Sequence, residues 1–166
     1  MKKLLSILGA IGLIATSSTS LVACNKTQQE YTKEELEHLK KENKINTKDQ
    51  TIKDNLEWIA PQEKPFNTVD NKWYYVVWRG DKNSDWRIIK FKHFEQKEKF
   101  LDKYDEYELK TSHFGGDLFI YKNGFVSYDW NKDDGTYFKS VYRWNLDTNE
   151  PDLIIEKNGN VKVKGE

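Results

Sequence analysis

The chain of 166 residues has a single cysteine and no apolar stretch long enough to cross a bilayer. One cysteine excludes an internal disulfide, so the fold must depend on a hydrophobic core and hydrogen bonds. The longest apolar run is Leu4–Ala15, whereas a membrane-spanning helix needs about 20 apolar residues. A run of this shorter length is typical of the apolar region of a secretory signal peptide.

The chain also lacks net charge, with 27 Lys and Arg residues against 27 Asp and Glu residues. Removing residues 1–23 takes away two lysines and leaves a slight excess of acid. Proteins that bind nucleic acid usually carry a basic surface, so this balance argues against a nucleic-acid partner. At this size, the chain left after residue 23 is sufficient for one domain.

The residues around the single cysteine form a specific motif. Lys2 and Lys3 precede the apolar run, a small polar segment follows it, and the sequence Leu-Val-Ala-Cys ends at Cys24. This arrangement resembles the lipobox signal peptide of bacterial lipoproteins. The resemblance implies cleavage after Ala23, a diacylglyceryl thioether on Cys24 and attached fatty acids such as palmitate. An uncleaved anchor, or an ordinary thiol behind a standard signal peptide, is the alternative.

The composition points to a narrower group of lipoproteins. Lysine and asparagine are plentiful and arginine is scarce, a bias that resembles proteins from AT-rich genomes. Together with the signal peptide, the chain resembles surface lipoproteins of mollicutes, of the spiroplasma type, many of which have no known activity. Such cells have no wall or outer membrane. The resemblance therefore implies a protein anchored by lipid at the extracellular face of the cell membrane.

Residues 24–60 are predicted to be a lipid-anchored tether with charged helical segments. Thr32 and Glu35 have the spacing of a capping box, which predicts a helix that ends near residue 42. A second helix before Pro61 is predicted by an apolar stripe with helical spacing: Ile52, Leu56 and Ile59. Whether this segment packs on the rest of the chain stays open from the sequence.

Residues 61–166 are predicted to form an antiparallel β-rich domain. Short runs of aromatic and β-branched residues alternate with turn sequences, of which Asn123-Gly124 is the strongest. We expect three hairpins, made of residues 72–79 with 86–93, 118–121 with 125–130, and 153–156 with 161–164. A further strand is expected over 106–111, and an inserted helix over 95–104.

These elements predict an α+β fold that is mainly antiparallel β. The expected architecture is a twisted sheet of short hairpins with one inserted helix and an N-terminal helical segment. A small open β-barrel is the alternative arrangement.

One turn resembles a calcium-binding loop. Asp129, Asn131 and Asp133 place oxygen-bearing side chains at the first, third and fifth positions. The glycine required next in such a loop is Asp134 here, and the final ligand position is Ser140 rather than glutamate. Because turns between strands select Asp, Asn and Gly in any case, we favour a simple turn and keep calcium as the weaker interpretation.

The aromatic residues suggest a second candidate site. The chain has six tryptophans, and nearly all of its aromatic residues follow residue 57. Alternation along the strand that contains Trp73 and Tyr75 places these two rings on one face and Trp78 on the other. Core packing is the favoured interpretation. The alternative is an aromatic surface that binds a sugar or a protein, formed by Trp73, Tyr75, Trp78, Trp130 and Trp144.

The sequence contains none of the common motifs for catalysis, cofactors or metals. There is no Gly-x-Ser-x-Gly, no Walker loop and no His-Glu-x-x-His, and the three histidines are far apart. We therefore expect a non-enzymatic binding or interaction module that recognises a host or cell-surface protein or a glycan. A carbohydrate-binding or glycoside-processing domain is one alternative, and a purely structural lipoprotein is the other.

Overall fold

A computed structural model describes residues 30–112 and 116–166. The signal peptide predicted over residues 1–23, its cleavage site after Ala23 and the lipidation site Cys24 lie outside the described residues. Two α-helices are present, α1 at Lys33–Glu42 and α2 at Gln50–Asn55. Ten strands follow in chain order: β1 Leu56–Trp58, β2 Trp73–Trp78, β3 Arg87–Lys92, β4 Lys99–Tyr104, β5 Tyr107–Thr111, β6 Leu118–Lys122, β7 Phe125–Asp129, β8 Phe138–Trp144, β9 Leu153–Ile155 and β10 Val161–Val163.

Helix α1 begins at the predicted capping box. The Glu35 backbone N–H donates to Thr32 Oγ1 at 3.2 Å, and the Thr32 N–H donates to Glu35 Oε2 at 2.8 Å. None of the residues of α1 is buried. The helix contains only two leucines and therefore has no apolar stripe to bury. Its cap and its ion pairs stabilise it instead.

The first sheet has the strand order β1-β8-β2-β3. The predicted hairpin of β2 and β3 is confirmed, with Val76 opposite Ile89. On its other side β2 pairs with β8, where Val76 lies opposite Val141. Strand β1 extends this sheet through pairing of Leu56 with Trp144. Two segments that are distant in sequence thus extend the predicted hairpin into a four-stranded sheet.

The second sheet has the order β4-β5-β6-β7 and is built from neighbouring strands only. Leu109 of β5 lies opposite Ile120 of β6, and Tyr121 lies opposite Val126 of β7. Strands β9 and β10 form a separate two-stranded sheet, which confirms the last predicted hairpin. The fold is α+β and mainly antiparallel β, as predicted. The three sheets are open within the described residues, so they do not form the barrel that was the alternative.

The inserted helix predicted over residues 95–104 is wrong. Residues from Lys99 onward form β4, which pairs with β5 and has a bulge between Phe100 and Asp102. The bulge lets Leu101 pack on the core while Asp102 bonds to the Trp78 indole. The long-range pairing overrides the helical preference of the charged residues, because strand propensity depends mostly on such packing.

Much of the segment assigned to the tether belongs to the folded body. The predicted second helix ends at Asn55, and the next three residues become β1 of the first sheet. Ile45, Ile52 and Leu56 are buried in a core cluster. The boundary predicted at residue 60 therefore does not separate a tether from the β-rich part. The segment that follows α1 thus packs on the sheet, a point that stayed open from the sequence.

The core consists of two clusters on opposite faces of the first sheet. Tyr74, Val76 and Trp78 of β2 belong to the cluster that also contains Leu109 and Ile120 of the second sheet. The other cluster is centred on three aromatic side chains and is covered by the N-terminal segment and β9: Tyr75, Tyr142, Trp144, Ile45, Ile52, Leu56 and Leu153. The first sheet is therefore the middle layer of the protein.

Candidate functional site

Core packing, the favoured interpretation of the aromatic residues, is confirmed for four of the five candidates, and the alternative aromatic surface is wrong for these four. Tyr75, Trp78, Trp130 and Trp144 are at most 5% exposed, and only Trp73 is half-buried at the surface. Their polar atoms are satisfied internally: the Tyr75 hydroxyl donates to the Pro151 carbonyl at 2.6 Å, and the Trp144 Nε1–H donates to the Thr148 carbonyl at 2.9 Å. These residues form core, because both faces of the first sheet are covered.

The weak calcium candidate at Asp129, Asn131 and Asp133 forms a turn, which is the interpretation favoured from the sequence. The Asp133 carboxylate accepts backbone N–H groups from Gly135, Tyr137 and Phe138 at 2.9–3.2 Å. Asp129 pairs with Lys132 of the same turn. Within residues 30–112 and 116–166, no group of three or more His, Cys, Asp or Glu side chains is placed to hold a metal ion. The acidic side chains therefore stabilise the turn through hydrogen bonds and an ion pair.

A carboxyl group and an imidazole, those of Asp117 and His93, are buried in the core region. Asp117 accepts the Leu118 N–H at 2.8 Å and the Asn131 N–H at 3.2 Å, and so joins the start of β6 to the turn after β7. Burial raises the pKa of Asp117 to about 6, although both backbone N–H groups oppose the shift. Burial also lowers the pKa of His93, whose ring lies edge-on to Phe66. Both positions suit structural roles.

The second sheet presents one face outward, and we call this surface the outer face. Cross-strand pairing sets it in two rows. Phe100, Lys110, Phe119 and Asp129 lie opposite one another in the first row. The second row consists of Lys103, Glu108, Tyr121 and Val126. Phe100, Phe119, Tyr121 and Val126 belong to neither core cluster.

The charges of the outer face neutralise one another. Glu108 pairs with Lys110 at 3.0 Å and with Lys103 at 3.3 Å, and these lysines hold its pKa below the usual range. Lys110 Nζ also lies 4.7 Å from the centre of the Tyr121 ring, within the range of a cation–π contact. With Asp129 included, two acids balance two lysines. The surface therefore offers rings and methyl groups without a strong net charge.

The large apolar side chains that remain exposed concentrate on this sheet. Phe100 is 55% exposed, Tyr104 44%, Phe125 78% and Val126 48%, and all four belong to its edge strands β4 and β7. Phe100 and Val126 lie on the outer face, whereas Tyr104 and Phe125 lie in the row of Tyr107, which points to the other face. Four strands of about five residues give a face of roughly 19 Å by 17 Å, or about 320 Å². Apolar side chains cover only part of this area, because two lysines and two acidic residues share the face. An exposed apolar patch on a monomer is often functional.

A partly buried contact joins the second sheet to the first. Asp102 Oδ2 accepts the Arg87 Nε–H at 2.8 Å and the Trp78 Nε1–H at 3.1 Å, while Arg87 Nη2 reaches Oδ1 at 3.0 Å. Gly80 follows β2 where a Cβ atom would lie 2.3 Å from the Tyr107 ring. The glycine is therefore needed for the close approach of the two sheets, and the outer face is held on a rigid support.

The sequence contains a pattern that indicates the outer face, and this pattern lies in β5 and β6 rather than in the strands that hold the five candidate aromatic residues. Strand β5 alternates buried and half-buried residues, and β6 begins in the same way. Such alternation indicates a sheet with one solvent-facing side. Phe119 and Tyr121 occupy the outward positions of β6, where polar residues are usual. Two aromatic residues at outward positions are therefore the signal that could have located this surface.

Comparison with known proteins adds no family. No protein-family model matches the chain. No curated protein and no solved structure shows significant similarity to it. Among the described residues, none of the helices is long and apolar enough to cross a membrane.

Proposed function

We propose that this chain is a lipid-anchored, non-enzymatic surface protein that binds a protein partner through the outer face of its second sheet. The exposed Phe100 and Val126, which share the outer face with the half-buried Phe119 and Tyr121, carry the proposal. The lipobox ending at Cys24 supports the anchor, and the mature chain would begin at that residue. The anchor would hold the protein at the extracellular face of the cell membrane.

The chemistry of the outer face favours a protein partner. Cores of protein interfaces are enriched in aromatic residues and depleted of unbalanced charge. Phe100, Phe119 and Tyr121 supply the rings, and the Glu108 pairs neutralise the neighbouring lysines. The area of about 320 Å² is below the usual 800 Å² per partner, which indicates a weak or transient complex.

The anchor would offset this weakness. Five residues separate Cys24 from Glu30, and the six steps between these two residues span at most about 20 Å when extended. The described domain would therefore stay close to the membrane. A partner on the same surface would meet it at a high effective concentration, which raises the occupancy of a weak complex.

Site-specific photocrosslinking in the full, anchored chain tests the proposal. A photoreactive phenylalanine analogue would be placed at Phe119 or Val126, with Glu34 and Asp152 as exposed control positions. We expect a discrete protein adduct from the two outer-face positions and none from the controls. The substitution Tyr121→Asp in the same chain should abolish it.

The purified partner provides the decisive measurement. Its affinity for the wild-type protein should fall at least about tenfold with Tyr121→Asp, which corresponds to about 1.4 kcal/mol. The variant Glu34→Gln should bind normally. Equal adducts from all four positions, an adduct made only of this chain, or binding to glycans alone would contradict a separate protein partner.

A further inference from the structure

A concave surface shares no residue with the outer face, and we call it the lysine cleft. It has a volume of about 770 Å³ and lies between the loop that joins α1 to α2, strand β8 and the β9–β10 hairpin. A cleft of this size is within the usual range for small-molecule sites. Its walls come from segments that the sequence places about 100 residues apart.

The hairpin wall of the cleft is fixed by close packing. Gly159 in the β9–β10 turn has a φ of +85°, and a Cβ atom there would lie 2.9 Å from the Trp86 ring. Arg79 stacks on that ring, with its guanidinium carbon 4.3 Å from the centre. The turn therefore packs on the Trp86 indole, which Arg79 also contacts. This packing fixes the hairpin wall of the cleft.

Five lysines and three glutamates line the lysine cleft, so the lining has a positive formal charge. Four lysines line it without an ion pair to any described residue: Lys44, Lys48, Lys53 and Lys139. The fifth lysine of the cleft, Lys162, pairs with Glu156 at 3.7 Å. The Glu166 side chain is engaged by Thr47 Oγ1 at 2.9 Å and by the Lys48 backbone N–H at 3.3 Å. Glu42 faces His38 at 3.4 Å.

Lysines without an ion pair to a described residue also occur elsewhere, for example Lys64 and Lys82, but in the lysine cleft four of them line one cavity. On the outer face and along β1 and β8, lysines and arginines pair with carboxylates, as in the contact of Lys40 with Glu57 and Glu63. Four like charges around one cavity repel one another, and an anion placed among them would relieve that repulsion. Lysine is a common phosphate ligand and acts as a point charge.

The remaining lining is polar and suited to hydroxyl groups. Asn43, Asn46 and Asn160 offer amide donors and acceptors, and Ser140 lies on the floor. The Tyr142 hydroxyl donates to the Asn43 carbonyl at 2.9 Å, which ties the loop to β8. Burial raises the pKa of Tyr142 to about 12, so this hydroxyl stays a neutral donor.

We infer that the lysine cleft binds a small phosphate ester of a hydroxyl-rich compound, with the four unpaired lysines around the phosphate and the asparagines at the hydroxyl groups. Two sources carry this chemistry, a soluble polyol phosphate and the glycerophosphate headgroup of a phospholipid. The site is separate from the outer face, so either proposal stands if the other fails.

Calorimetric titration of the purified protein tests the inference. The probes are glycerol phosphate, inorganic phosphate, glycerol as the uncharged control, and vesicles of phosphatidylcholine with or without phosphatidylglycerol. We expect glycerol phosphate or phosphatidylglycerol vesicles to bind with a Kd below about 1 mM, and glycerol and pure phosphatidylcholine not to bind. Binding of the free ester indicates the soluble source, and binding of the vesicles alone indicates the headgroup.

Matched charge variants distinguish binding in the lysine cleft from general electrostatic attraction between the protein and an anion. Lys53→Gln combined with Lys139→Gln should weaken binding at least about tenfold. Lys64→Gln combined with Lys82→Gln changes net charge equally at exposed positions outside the cleft and should leave the Kd unchanged. Thermal unfolding of each variant verifies that it is folded. Absence of binding by every phosphate probe, or equal weakening by both pairs, would overturn the inference.

Discussion

The two large sheets of this protein share antiparallel pairing but differ in how they are covered. The first sheet has core on both faces, and Tyr74 through Trp78 of β2 are at most 2% exposed. The second sheet packs one face on that core and leaves the outer face to solvent. A ring on β2 is therefore structural, whereas a ring at an outward position of β6 is available for binding.

The sequences of the two strands β2 and β5 reflect this difference in coverage. Strand β2 is an unbroken run of aromatic and β-branched residues, Trp-Tyr-Tyr-Val-Val-Trp, as expected of a strand with two buried faces. Strand β5, Tyr-Glu-Leu-Lys-Thr, alternates, as expected of a strand with one. Aromatic content alone does not indicate a binding surface, since periodicity decides which rings are exposed.

The largest expected effect concerns the first sheet. Trp78→Ala removes a fully buried ring and its hydrogen bond to Asp102, and should lower the free energy of unfolding by about 3–5 kcal/mol. Chemical denaturation measures this loss. Phe119→Ala on the outer face is the matched aromatic control and should cost less than about 1.5 kcal/mol. Equal losses at the two positions would contradict the contrast between the sheets.

The buried face of the second sheet should show a pH dependence through Asp117. Its folded pKa of about 6 exceeds the ordinary value of 3.8, so the folded state binds the proton more tightly than the unfolded state. The stabilisation is fully present below pH 3.8 and is lost as pH rises through 6. The change is of order 2–3 kcal/mol.

Urea denaturation at several pH values, compared with Asp117→Asn, isolates this contribution. The asparagine variant cannot titrate, so the difference in unfolding free energy between it and the wild type should change between about pH 4 and pH 6, with the wild type losing stability relative to it as pH rises. A difference that stays constant over this range would show that Asp117 is not desolvated.

The next prediction concerns the contact of Asp102 with Arg87 and Trp78, which joins the two sheets. Asp102→Ala leaves Arg87 and the Trp78 indole without their shared acceptor, and should cost about 2 kcal/mol. Both sheets should be affected, so amide exchange should rise in β3 and β4 together. Lys103→Ala, at the neighbouring exposed position, is the control. A loss confined to β4 would mean that the second sheet is held mainly by apolar contacts.

The smallest effect on stability is expected on the outer face itself. Tyr121→Ser removes a half-buried ring and its contact with Lys110, and should change the unfolding free energy by less than about 1 kcal/mol. The same substitution should remove binding to the protein partner. Loss of the fold instead of binding would place this ring in the core.

Local sequence signals predicted much of the fold. The three hairpins follow from turn residues between runs of strand-forming residues, and α1 follows from its capping box. The order β1-β8-β2-β3 could not be predicted, because it joins residues 56–58 to 138–144 through pairing that no local pattern encodes. The helix expected over 95–104 failed for the same reason, since β4 depends on β5 and on the Asp102 contacts.

The candidate site was harder to predict from the sequence than the fold. Alternation along β2 separates Trp73 and Tyr75 from Trp78, but it does not show whether each face is covered. The sequence therefore leaves Trp78 and Trp144 as surface candidates, although both are buried. Assigning those faces needs the register, which residues in β4 and β7 set through two bulges. The lysine cleft depends on three distant segments and has no sequence motif.

The contrast between a first sheet covered on both faces and a second sheet covered on one can be measured without any substitution. Hydroxyl-radical footprinting of the purified protein, read residue by residue by mass spectrometry, reports the solvent access of each ring. We expect fast modification of Phe100, Phe119 and Tyr121 and strong protection of Tyr75 and Trp78. Protection of the first three to the same degree as the last two would refute the contrast, because the outer face would then be buried.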